Sequence, residues 1–151
     1  ACDPHIMSYE FAPYVERVDM DSLFRQADVI SLHTPLNDET RGIVNASVLN
    51  LMKPGSYLVN TARGGIVNVD DALDALQNGQ LGGLALDVLP QEPPGEHPLV
   101  QHPRTVLTPH AAFFSIEAEK ELRRKAAQNI ISFVKTGKPD YVVVQGAAWP
   151  V

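Results

Sequence analysis

"SYLVNTARGGIVNVDDALDALQNGQLGGLALDVL", residues 56–89, decides the fold. It begins with an apolar run, Tyr57-Leu58-Val59, introduced by the Pro54-Gly55 turn, and "SYLVNTA" (56–62) reads as a strand. "NVDDALDALQNG" (68–79) reads as a helix. Asn68 stands at its N-cap, Asp70 and Asp71 fall in the first turn, where carboxylates favour the helix dipole, and Gly79 lies just beyond the end. "LGGLALDVL" (81–89) is apolar again and reads as a second strand. Strands and helices in alternation indicate a parallel sheet wound with helices.

Working outward, the same alternation continues in both directions. Upstream, "DVISLH" (28–33) reads as a strand, "NASVLNLM" (45–52) as a short helix capped by Asn45, and 19–26 as another short helix. Downstream, "TVLTPH" (105–110) is the last clear strand, and a long helix follows from about Ser115 to Lys135 with Leu122, Ala126, Ile130 and Val134 on one face. The strands are apolar nearly throughout, as in a sheet covered on both faces. Residues 90–104, "PQEPPGEHPLVQHPR", contain five prolines and read as an irregular loop.

The chain has 151 residues, enough for one sizeable core and too few for two ordinary domains. A net charge of -6 and a pI near 5.2 argue against a nucleic-acid surface. The local basic cluster Arg123-Arg124-Lys125 sits among Glu117, Glu119 and Glu121 and reads as a solvated helix face. One cysteine, Cys2, excludes an intramolecular disulfide and fits a reducing compartment such as the cytoplasm. No apolar run approaches the ~20 residues of a membrane span, and no metal-ligand cluster stands out.

Arg63 raises the chemical question, because a guanidinium at the lip of a sheet needs a reason. In open α/β sheets, ligands bind beyond the carboxyl ends of the strands. Arg63 follows one strand, Asp87 lies near the end of the next, and His110 closes the last, with Glu92 a few residues past Asp87. Taken singly, each is compatible with a loop or packing role, although a carboxylate such as Asp87 in an apolar strand needs a partner. Together, at one edge, they point to a site. Arg offers a charged fork for a carboxylate. His can give or take a proton near neutral pH, and a neighbouring carboxylate would orient it. Gly64 and Gly65 would let the backbone pass close to a bulky ligand. Carboxylate capture with proton transfer fits interconversion of a 2-hydroxy acid and a 2-oxo acid, which also needs a hydride carrier.

"ADVISLHTPLNDETRGIVN", "MKPGSYLVNTARGGIVN", "GGLALDVLPQEP" and "TPHAA" resemble, in order and spacing, the D-isomer-specific 2-hydroxyacid dehydrogenases, from Asp3 to about Val144. The resemblance implies a Rossmann-type, doubly wound parallel sheet that binds NAD. It implies that Arg63 holds the substrate carboxylate, that His110 is the general acid and base, and that Glu92 pairs with His110 and keeps it able to carry a proton. Asp3 would bind the adenosine ribose and disfavour NADP. Thr34, Pro35, Asn37 and Thr40 would line the adenosine half, Thr61 and Ala62 would meet the nicotinamide end, Asp87 would bind its carboxamide, and Ala112 and Phe113 would touch the cofactor again. His33 is open between a packing role and a site role, and His5, His97 and His102 read as surface or loop histidines.

The family's glycine-rich turn, expected about 20 residues before Asp3, is absent from the sequence. The chain therefore reads as the C-terminal part of a longer dehydrogenase: a partial NAD-binding domain over 1–114 that lacks its first strand and glycine-rich loop, and a helix and tail over 115–151 leading toward an absent substrate domain. Expected partners are a small 2-oxo or 2-hydroxy acid such as glyoxylate, hydroxypyruvate or pyruvate, and a second copy of the full-length protein in a homodimer. "HAAFFS" resembles the branch that contains the C-terminal-binding corepressors, so an NAD-responsive scaffold with little turnover is the alternative to an enzyme. The acidic bulk charge favours the enzyme.

Overall fold

Leu58, Leu81, Leu84 and Leu86 are buried because alternate residues of neighbouring strands turn toward the same layer of helices. These strands belong to a computed structural model that describes residues 1–7 and 10–142. The chain divides into two compact units, Ala1–Ala112 and Phe113–Val151.

The first unit follows the order α1 (Met20–Gln26), β1 (Val29–Leu32), α2 (Ala46–Leu49), β2 (Ser56–Asn60), α3 (Val69–Gln77), β3 (Leu81–Leu86) and β4 (Thr105–Leu107). The four strands pair in parallel in the order β1-β2-β3-β4, which bears out the Rossmann-type α/β reading. The caps read from the sequence, Asn45 and Asn68, accept from backbone N–H groups of their own first turn, and so does Asp19, which the structure adds as the cap of α1. Gly79 takes a φ of 83°, a left-handed exit that costs glycine little.

Because parallel crossovers are right-handed and the strands add in one direction, α2 and α3 lie on one face of the sheet. Their layer buries Ile30, Val48, Leu49, Ala72 and Leu76. The opposite face displays Val29, Tyr57 and Val106, which are more than half exposed. Within the first unit, the apolar strands pack against helices through the face under α2 and α3.

The proline-rich stretch is also less irregular than expected. Pro98–Gln101 forms a 3-10 turn that carries Leu99 into the core with no exposure. His97 caps this turn through Nδ1, which accepts the Leu99 N–H, while its Nε2 meets Asp70 at 3.1 Å. The Arg104 guanidinium then donates to the carbonyls of Leu81, at 3.1 Å, and Leu76.

The second unit is built on α4 (Ile116–Thr136), capped by Ser115 and closed by Gly137 in the left-handed conformation. Glu121 pairs with Arg124 and Lys125, so the basic cluster is a solvated, ion-paired face as expected. Asn129 donates to the Tyr141 carbonyl and accepts its N–H, at 3.0 and 2.8 Å. Asp140 accepts from Ser132 Oγ and Gln128 Nε2. The stripe of Leu122, Ile130 and Val134 is exposed. The tail beyond residue 142 lies outside the described residues. Among the described residues, no helix is long and apolar enough to cross a membrane.

Candidate active site

Asn60, Leu86 and Leu107 stand in register as the last residues of three adjacent strands. Arg63 lies three residues beyond that row, Asp87 one and His110 three, so the sheet delivers all of them to one edge.

The turn after β2 is organised by Asn60, which is fully buried. Its Oδ1 accepts the Ala62 N–H at 3.0 Å and its Nδ2 donates to the Arg63 carbonyl at 2.9 Å. Its own carbonyl accepts the Asp87 N–H at 2.9 Å. Sequence reasoning missed Asn60; the signal available was an amide closing an otherwise apolar strand, which must find partners once buried. Arg63 is exposed, with Nη1 donating to the Ala62 carbonyl at 2.6 Å. Thr61 is exposed and Ala62 half-buried beside it. The reading of Gly64 and Gly65 as clearance for a ligand is corrected. A Cβ on Gly64 would strike the Leu89–Pro90 backbone, and one on Gly65 would meet the Leu36 and Arg41 side chains.

The turn after β4 is organised by Asp87, which is buried. Its Oδ1 accepts from Thr108 Oγ1 and from the Ala111 N–H at 2.8 Å, and its Oδ2 accepts the Ala112 N–H at 2.9 Å. Burial alone would raise this carboxyl's pKa. The bonds from Thr108, Ala112 and Ala111 outweigh it and hold the group below the usual aspartate range. The three bonds bracket His110, whose φ of 53° is left-handed, a conformation that is uncommon for a residue with a Cβ.

His110 Nδ1 meets Glu92 Oε2 at 2.7 Å, and Glu92 Oε1 accepts the Leu89 N–H at 2.8 Å. The Leu89 bond, and then the His110 bond, lower the Glu92 pKa. The carboxylate therefore claims Nδ1–H and leaves Nε2 as the nitrogen with no partner among the described residues. Side chains of His110 and Glu92 remain 48% and 38% exposed, so the pair is reachable by a ligand. A cleft of about 450 Å³ opens beside it, walled by Leu89, Pro93, Pro94, Leu107 and Pro109.

The remaining expected cofactor residues behave variously. Ala1 pairs with the backbones of Glu16 and Val18, and Asp3 Oδ1 accepts the His5 N–H at 2.8 Å. Asn37 and Thr40 fold the loop after β1, with Thr40 Oγ1 donating to the Pro35 carbonyl at 2.6 Å and Asn37 Oδ1 accepting the Thr40 N–H. Thr34 adds a 3.5 Å bond to the Pro35 carbonyl. His33 Nε2 lies 2.8 Å from Ser31 Oγ. Ala112 is engaged by Asp87, while Phe113 belongs to the second unit, where its ring stands edge-on to Phe114. His97 and His102 are capping residues rather than plain loop histidines; His102 Nδ1 accepts the Arg104 N–H. Among the described residues, no group of three metal-ligating side chains occurs.

The donor set at this edge fits a nicotinamide cofactor beside a carboxylate. An ionised carboxyl has about four lone-pair sites, and Asp87 uses three, leaving capacity on Oδ2 for an amide donor. Arg63 is an exposed cation, and His110 presents a free ring nitrogen.

Comparison with known proteins agrees. The family model described as D-isomer specific 2-hydroxyacid dehydrogenase, NAD binding domain, matches residues 1–112. The chain is 41% identical over 132 residues to a glyoxylate reductase of Thermofilum pendens, covering 87% of this chain and 39% of that protein. It is 38% identical over 141 residues to a glycerate dehydrogenase of Methylorubrum extorquens, covering 91% of this chain and 45% of that one. Among solved structures it resembles the NAD-complexed D-isomer specific 2-hydroxyacid dehydrogenase of Lactobacillus delbrueckii ssp. bulgaricus, with a TM-score of 0.80, 29% identity, and coverage of 95% and 47%. The chain thus spans less than half the length of each. Sheet, strand-end residues and sequence likeness lead to one assignment: this chain belongs to the NAD-binding domain of the D-isomer-specific 2-hydroxyacid dehydrogenase family.

Proposed function

We propose that this chain is the cofactor-binding part of an NAD-dependent oxidoreductase that interconverts a small 2-oxo acid and a D-2-hydroxy acid. The observation that carries the reading is the 2.7 Å His110–Glu92 pair at the carboxyl edge of the sheet, with Arg63 delivered to the same edge. NAD, when bound, supplies the hydride acceptor or donor. The chain's own residues do the rest. Arg63 captures the substrate carboxylate with its planar fork. His110 donates a proton from Nε2 to the carbonyl oxygen in reduction and removes it from the hydroxyl in oxidation. Glu92 holds Nδ1–H, fixes the ring's orientation and balances the imidazolium charge. Asp87 keeps the His110 turn in its left-handed form, and its spare acceptor suits the carboxamide. Asp3, Thr34, Pro35, Asn37 and Thr40 line the adenosine half, and Thr61, Ala62, Ala112 and Phe113 border the nicotinamide. The protein that contains this chain works as a homodimer in the cytoplasm. Glyoxylate, hydroxypyruvate and pyruvate are the substrates to try first, in keeping with the reductase and dehydrogenase relatives.

The test is NADH oxidation by the protein that contains this chain, with each of those acids, before and after His110→Ala. Loss of general acid–base catalysis should reduce kcat by about 10²–10⁴-fold. Turnover unchanged by the substitution would sink the assignment of His110. NAD binding without turnover across the panel would favour a non-catalytic scaffold.

A further inference from the structure

Gly64 is buried and begins the 3-10 turn Gly64–Ile66, directly after Arg63. It lies outside the left-handed region, so its backbone conformation alone does not require glycine. Space does. An ideal Cβ there would fall 2.0 Å from the Leu89 carbonyl carbon, 2.2 Å from its oxygen and 2.4 Å from Pro90 N. All three are main-chain atoms, so no change of rotamer relieves the clash. Gly65 differs: its Cβ would meet Leu36 Cδ2 at 3.0 Å and Arg41 Nη1 at 3.4 Å, both at ends of flexible side chains.

Leu89 is also the residue whose N–H holds Glu92 Oε1, at 2.8 Å, while Glu92 Oε2 holds His110. A continuous line of contacts thus runs from the turn after β2, through the loop after β3, to the turn after β4. We infer that Gly64 is a positioning residue: by letting the Leu89–Pro90 backbone rest on its Cα, it sets the spacing between the Arg63 turn and the Glu92–His110 pair. The importance of that spacing rests on the proposed function, but the contact itself does not.

The experiment is a 13C NMR titration of the Glu92 carboxyl in the 151-residue chain. It reads position without requiring turnover, so its failure is separable from failure of the dehydrogenase reading. In Gly64→Ala the displaced Leu89 N–H should release Oε1, and the Glu92 midpoint should shift upward toward the ordinary glutamate value. Gly65→Ala should titrate like the unsubstituted chain. Gly64→Ala puts a clash in a buried place, so the double variant Gly64→Ala/Pro90→Gly is measured as well, with far-UV circular dichroism confirming folding. Its freed loop can move aside, and its Glu92 midpoint should lie above that of Pro90→Gly alone. A folded Gly64→Ala, or the double variant against its single reference, with an unmoved Glu92 midpoint overturns the inference. So does an equal upward shift in Gly65→Ala.

Discussion

The turn after β2 is shaped from within. Asn60 reaches forward two and three residues, to Ala62 N–H and the Arg63 carbonyl, so its side-chain bonds are all local. The turn after β4 is shaped from outside: Asp87, 21 to 25 residues earlier, supplies the acceptors for Thr108, Ala111 and Ala112. In each case the residue at the edge, Arg63 or His110, is exposed, and the residue that braces its turn is buried. A neutral amide suffices for the first turn because two bonds close it. The second holds a histidine at positive φ, which costs of order 1–2 kcal/mol, and it uses an ionised carboxylate with three donors.

The comparison breaks most visibly at Asp87. Asp87→Ala should cost about 3 kcal/mol, because it strips charge-assisted bonds and leaves two backbone N–H groups unpaired. Urea unfolding of the chain checks this. The loss should come with altered amide shifts at Thr108–Ala112 and unaltered ones at Thr61–Gly64. A cost under half that size would mean that the turn holds itself.

Asn60→Ala is the mirror experiment. With two neutral bonds lost, the cost should be about 2 kcal/mol, and the shift changes should centre on Thr61–Gly64. Some spread to Asp87 is expected, since its N–H bonds the Asn60 carbonyl. Shift changes larger at His110 than at Arg63 would contradict a locally shaped turn.

Acid gives the smallest and most selective effect. The Asp87 pKa is lowered in the folded chain, so its stabilisation is complete above the ordinary aspartate value and is lost as pH falls through the depressed native one. The gap in unfolding free energy between the unsubstituted chain and Asp87→Ala should therefore close with acid. The gap to Asn60→Ala should stay level, because an amide does not titrate. Two gaps that fall in parallel would remove the distinction between the turns.

The same division explains what could be read in advance. Helix starts were legible because a cap and its partners lie within a few residues, as with Asn68 and the N–H groups of Asp70 and Asp71. Strands were legible from apolar runs, although they end one to three residues earlier than those runs suggested, and parallel topology brought Arg63, Asp87, Glu92 and His110 to one edge. Asn60 was passed over because one amide in "LVNTA" resembles any strand exit. Leu99 was hidden in a run of prolines, where no periodicity marks a buried residue.

By itself, then, the sequence determined the elements, their parallel pairing and the residue types at the edge, all of which follow from local periodicity, capping and strand direction. Tertiary structure alone decided that Asp87 braces the His110 turn, that Gly64 is small for the sake of the Leu89–Pro90 backbone, and that His97 caps one segment while reaching another. Those roles depend on contacts between residues some 20 or more positions apart. Such contacts leave no local signature, since only the packed sheet sets the distance between two turns.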